Sequence, residues 1–183
     1  QAQQADASMD QVQQHLQRLL TQLPDSAYHE AAAYQQISLL LSAQNWTAAI
    51  PLLQRFIQRY PQTERGIAAK AQLLDSYEQA EQWDKAAAEL SRLAGAATAP
   101  AEQREALYLA AQYYQRAGLS DQAVAAWRSY ANRYHQPHLL AQEARYQLVQ
   151  LYHSRGDLYR QNFWRDKIAA FEQQFASDGN QRT

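Results

Sequence analysis

The sequence predicts an all-α chain, an α-solenoid of antiparallel helix pairs that repeat about every 37 residues. Three observations carry this expectation. Residues of one type recur at a fixed spacing: Ala32, Ala69, Ala106 and Ala144 stand 37, 37 and 38 residues apart, and Leu40, Tyr77, Tyr114 and Tyr152 follow the same steps. Within the stretch Asn45 to Pro61, the apolar residues Trp46, Ala49, Leu53, Phe56, Ile57 and Tyr60 fall at steps of three and four, which is one face of a helix. Finally, five glycines and five prolines in 183 residues are too little punctuation for many short strands, and the abundant Ala, Gln and Leu favour helices.

Composition narrows the function classes. With 46% apolar and 19% charged residues the chain has enough core-forming material to fold and is not strongly charged. A formal net charge of -1 gives no electrostatic basis for binding nucleic acid, which needs basic surface to neutralise phosphates. No apolar run approaches the roughly 20 residues of a membrane span. The absence of cysteine excludes disulfides and thiolate ligands. Gln1 opens the chain without a signal-peptide pattern, as expected of a mature protein or an excised fragment.

The elements follow in order. Subtracting 37 from Trp46, Ala49, Leu53, Phe56, Ile57, Tyr60 and Pro61 gives Met9, Val12, Leu16, Leu19, Leu20, Leu23 and Pro24. All are apolar, so residues 1–24 form a half repeat, the second helix of a pair whose first helix is missing, as in a chain cut from a longer array; the alternative is a capping helix evolved from a repeat. Four repeats follow, over residues 25–61, 62–98, 99–135 and 136–176. The first pair comprises Ser26 to Ala43 and the stretch beginning at Asn45, whose side chain suits a helix cap and whose Pro61 stops the ladder. Pro51 lies past the first turn, so that helix either starts late, nearer Ala48, or bends. The second pair spans Glu64 to Ala80 and Asp84 to Leu93, and Ala94 to Glu102 reads as the longest loop. The third spans Ala101 to Ala117 and Asp121 to Tyr134, with Gly118 suited to the left-handed turn between them. The last spans Leu139 to Arg155 and Leu158 to Phe175 around Gly156, and the polar tail 177–183 is expected to fray.

These residues resemble the tetratricopeptide repeat, a helix-turn-helix unit with small and aromatic residues at fixed places. In the third repeat Leu107, Ala110, Ala111, Tyr114, Gly118, Ala123, Trp127 and Tyr130 follow the pattern; Ala49, Ala86 and Ala123 mark where paired helices approach closely. The last pair departs, with Arg160 or Gln161 where the small residue belongs. The tails FIQRYPQT and WRSYANRYHQP look like those of tetratricopeptide proteins of the bacterial envelope, which implies a periplasmic location, with a cytoplasmic one as the alternative.

No pattern of catalytic chemistry competes with this reading. His135 and His138 form an H-x-x-H around Pro137 without a third ligand, while a zinc site usually needs three or four; no metal, cofactor or catalytic residue is assigned. Ser-His-Asp logic, a glycine-rich phosphate loop and a His-Glu-x-x-His helix are all missing from the sequence, so the chain is read as a non-enzyme. Trp46, Trp83, Tyr77, Tyr114, Trp127 and Tyr152 occupy repeat-defining places and are assigned to packing.

The resemblance implies a right-handed superhelical α-solenoid, a scaffold whose concave groove is lined by the first helix of each pair. Carried over position by position, it assigns to that groove Tyr34 and Ser38, then Asp75 and Glu78, then Glu105, Tyr108, Gln112 and Gln115, then Tyr146, Gln150 and His153. This acidic, tyrosine-bearing set suits a neutral or basic protein or peptide. The lysines and asparagines with which chaperone-binding members hold a C-terminal carboxylate are replaced here, which disfavours that function. The alternative is a structural array segment, or a module that self-associates through the Met9–Leu23 stripe.

Overall fold

The computed structural model describes residues 2–22 and 28–180. They form nine α-helices and, among the described residues, no strand: α1 (Ala2–Gln22), α2 (His29–Ser42), α3 (Trp46–Arg59), α4 (Glu64–Gln79), α5 (Trp83–Ala96), α6 (Pro100–Arg116), α7 (Ser120–Arg133), α8 (His138–Ser154) and α9 (Leu158–Asn180). They fall into two compact units, Gln1–Gln82 and Trp83–Thr183, with the boundary inside the second predicted repeat.

In the first unit, α1 packs on α2, α2 on α3 and α3 on α4. Asn45 caps α3 as expected, its carboxamide oxygen accepting from the Ala48 amide at 3.3 Å. The helix begins at Trp46 and runs through Pro51, so the late start is ruled out; Pro51 is exposed and simply lacks the N–H that would bond the Thr47 carbonyl. Thr63 caps α4 through Gly66 N–H at 3.1 Å. Ile37, Leu53, Phe56, Leu73 and Tyr77 are buried, along with the small residues Ala49 and Ala69. In α1, Leu16, Leu19 and Leu20 are half-buried, whereas Val12 is exposed; the Met9 side chain, Leu23, Pro24 and the expected start at Ser26 lie outside the described residues.

In the second unit each helix from α5 to α9 packs on the next. Trp127, Tyr130 and Leu148 form the centre of its core, with Ala111, Ala123 and Ala144 fully buried at the close helix approaches. Two expectations need correction. The loop predicted from Ala94 to Glu102 is only Ala97 to Ala99: α5 continues through the helix-favouring Ala94 and Ala96, and α6 starts at Pro100, where a missing N–H costs nothing. The tail predicted to fray from 177 instead continues α9 to Asn180, with residues 181–183 outside the described residues.

One device recurs in both units. Gln44, Glu81, Gly118 and Gly156 all have positive φ (56°, 55°, 72° and 69°), spaced by the repeat. At each, the following amide bonds back to the helix: Asn45 N–H to Leu40 O, Gln82 to Tyr77, Leu119 to Tyr114 and Asp157 to Tyr152, at 2.8–3.0 Å. The first helix of every pair therefore ends in the same Schellman turn, although only two of the four carry glycine.

Candidate functional site

The residues assigned to partner contact lie on α2 and α4 in the first unit and on α6 and α8 in the second. In the first unit the two helices run side by side in the same direction: Arg65 is 3.9 Å from Glu30, and Gln72 Nε2 donates to the Tyr34 hydroxyl at 3.1 Å. Tyr34 also tilts against Phe56 at 5.5 Å, so it is half-buried in the junction. The Ser38 hydroxyl donates to the Tyr34 carbonyl at 2.9 Å. Asp75 is exposed and Glu78 half-buried. Asp75 is thus the most accessible of this set.

In the second unit the set divides. Tyr108 points into the core, edge-on to Trp127 at 5.1 Å and to Tyr130 at 5.3 Å; burial, and then the Glu143 carboxylate, push its phenol above the ordinary range. Gln115 is a tie between helices, accepting from Trp127 Nε1 at 3.0 Å and donating to Gln147 at 2.9 Å. Glu105 is exposed beside the α5–α6 cleft with Leu90, Leu93 and Leu109. Gln112 is exposed and shares with Gln115 a hollow of about 560 Å³ beside Leu109 and Trp127.

Tyr146, Gln150 and His153 are also brought together in one cleft. It holds about 430 Å³ between α8 and α9, has Val149, Ile168 and Ala169 on its apolar side, and is edged by Gln161, Arg165 and Glu172. The α9 residues were not singled out from the sequence. The signal was the departure from the small-residue pattern at Gln161: subtracting 38 from Gln161, Arg165, Ile168, Ala169 and Glu172 gives Ala123, Trp127, Tyr130, Ala131 and Tyr134, the packing face of α7.

His135 and His138 are engaged differently. The His138 ring stacks between Phe171 at 4.7 Å and Phe175 at 3.7 Å, and Arg145 lies 4.1 Å over Phe171. Among the described residues no cluster of three or more potential ligands is placed to hold a metal ion. A second cleft, about 350 Å³ between α1, α2 and α3, is lined by Leu20, Phe56, Arg55 and Arg59, with His29 Nδ1 and the Tyr60 hydroxyl 2.8 Å apart.

The helical repeat with its recurring turn is matched by a family model described as tetratricopeptide repeat, over residues 31–63 and 105–135. Two helix pairs of the chain match the tetratricopeptide repeat. Residues 31–63 hold α2 and α3, and 105–135 hold most of α6 with α7, so each matched tetratricopeptide segment is one helix pair with its Schellman turn. Among solved structures, the chain resembles nearly identical TPR-like repeats from a proposed kinesin light chain of Podosopora anserina, with 14% identity, 96% of this chain and 90% of that chain covered, and a TM-score of 0.50. The Q17M form of that protein gives 14% identity, 100% and 91% coverage and a TM-score of 0.47. BtubC (BKLC) from P. vanneervenii gives 15% identity, 92% and 72% coverage and a TM-score of 0.47. At such identity the first of these supports the tetratricopeptide fold alone. No curated protein sequence matches the chain significantly. No helix of the described residues is long and apolar enough to cross a membrane.

Proposed function

We propose that the chain is a non-catalytic scaffold that binds a protein or peptide through the exposed faces of the first helices of its pairs. The tetratricopeptide fold commonly mediates contact between proteins. The observation that carries the reading is the exposed set on first helices: both helices of each pair bury an apolar face, with Leu73 and Tyr77 as well as Phe56, and Leu148 as well as Trp127 and Tyr130, while Asp75, Glu105, Gln112, Tyr146 and Gln150 on first helices remain exposed. Exposed carboxylates in both units favour a neutral or basic ligand. The envelope-like tails after α3 and α7 favour a periplasmic setting. Reversing charge in both units, with Glu78→Lys and Glu105→Lys, should reduce recovery of co-purifying proteins at least tenfold in a quantitative pull-down at low salt. Unchanged recovery refutes the assignment.

A second reading rests on Val12, 42% exposed on α1. An uncovered apolar residue on the half-repeat helix supports self-association, and sedimentation over a hundredfold range of concentration tests it: a monomer throughout counts against it.

A further inference from the structure

The α8–α9 cleft stands where, one repeat earlier, a helix is already seated. Adding 38 to Tyr108, Ala111, Gln112 and Gln115 gives Tyr146, Val149, Gln150 and His153, and adding 38 to Trp127, Tyr130 and Ala131 gives Arg165, Ile168 and Ala169. The earlier set is the surface on which α8 packs: Leu148 and Ala144 join its apolar core, and Gln147 bonds Gln115 at its edge. The later set keeps that form, with Val149 buried and Ile168 half-buried beneath a polar rim.

Chemistry differs at one corner. Gln115 accepts from Trp127 Nε1, and the Gln147 amide of α8 meets Gln115 there. The counterparts of Gln115 and Trp127 are His153 and Arg165, both exposed in the same cleft, and Arg165 is in no ion pair among the described residues. The carboxylate nearby, Glu172, already accepts from Gln142 Nε2 at 2.7 Å. A helix seated as α8 is seated would place its Gln147-equivalent against an imidazole and a guanidinium, where a carboxylate completes the contact and an ammonium is repelled.

We propose that this face receives an amphipathic helix of a partner protein, with a narrow apolar seam of small and branched residues and an Asp or Glu where α8 carries Gln147. The proposal rests on the scaffold reading and adds a site on the α8–α9 face with its own, acidic, preference.

The test uses the whole chain and three synthetic peptides with the α8 sequence His138–Ser154, carrying Gln, Glu or Lys at position 147. Fluorescence anisotropy should rank Glu over Gln over Lys, with at least tenfold between the extremes at low salt. Arg165→Glu should invert that order, and Ile168→Asp should abolish binding of all three; both positions are exposed or half-buried, and retained helical circular dichroism checks the fold. Equal binding of the Glu and Lys peptides, or amide shifts confined to α6, overturns the proposal without touching the scaffold reading. A concentration-dependent dimer abolished by Ile168→Asp also overturns it, assigning the face to a second copy. Protection of the same amides without peptide in a longer natural form of the chain overturns it as well, assigning the face to a following segment. If the Glu78→Lys, Glu105→Lys chain still recovers its proteins while the Glu peptide binds as ranked, the first-helix surfaces fail and this face stands.

Discussion

Tyr130 is fully buried in the second unit, and its hydroxyl has no hydrogen-bond partner among the described residues. An unsatisfied buried hydroxyl costs about 1–3 kcal/mol, so Tyr130→Phe should raise stability in urea by about 1 kcal/mol while keeping the aromatic contacts. Burial also lifts the phenol above its ordinary value, reinforced by Tyr108 and Tyr134 and opposed by Arg104. The sign follows from proton counting: the unfolded chain loses this proton at lower pH than the folded chain does. The contribution is therefore intact below the ordinary tyrosine range, near about 10, and is lost as pH rises through the lifted value. Melting at alkaline pH should fall less steeply in Tyr130→Phe. Gly66 matters for a different reason. A Cβ there would stand 1.7 Å from the Tyr60 carbonyl oxygen, which is backbone and cannot swing aside. Gly66→Ala should cost about 1–3 kcal/mol by the overpacking rule and weaken the α3–α4 turn, read as a lower urea midpoint. Nothing in the sequence distinguishes Gly66 from an ordinary glycine in a helix, because the opposing carbonyl comes from another turn of chain.

At the scale of the helix, periodicity made the pairs legible because the packing that selects it is local. Trp46 to Tyr60 presents one apolar stripe, Asn45 caps it, and both are visible in a window of a single helix. Gly118 and Gly156 announce their left-handed turns, but Gln44 and Glu81 adopt the same turn without announcing it. A side chain in that conformation carries a steric cost of about 1–2 kcal/mol that glycine avoids. Gln44→Gly and Glu81→Gly should each stabilise the chain, by about 0.5–1 kcal/mol after the extra entropy of the unfolded glycine is subtracted, as measured by chemical denaturation. Loss of stability in both would mean that these turns are not left-handed in solution. The α5–α6 connection was misjudged because Ala94 to Ala96 reads as low in landmarks, yet alanine extends a helix readily when one is already nucleated.

For the molecule as a whole, the repeat was legible and the division of its surfaces was less so. A 37-residue step predicts which residues share a role, and it placed Ala49, Ala86 and Ala123 in equivalent buried positions. It does not tell how deeply a first-helix residue is drawn into the junction. Tyr34 and Tyr108 were assigned to partner contact and are half-buried against Phe56 and Trp127, while Gln115 ties two helices together. Burial of this kind depends on the neighbouring helix, which is remote in sequence. The α8–α9 face needed both the repeat register and the observed seat of α8 to be noticed. The claim beneath all of this is that both helices of each pair build the scaffold and the exposed faces of the first helices meet partners. Hydrogen–deuterium exchange tests it directly, comparing the free chain with the chain bound to the protein it recovers most abundantly. The account predicts new protection on α4, α6 and α8, at Asp75, Glu105, Gln112 and Tyr146, with α3, α5 and α7 unchanged; protection confined to α3, α5 and α7 would contradict it.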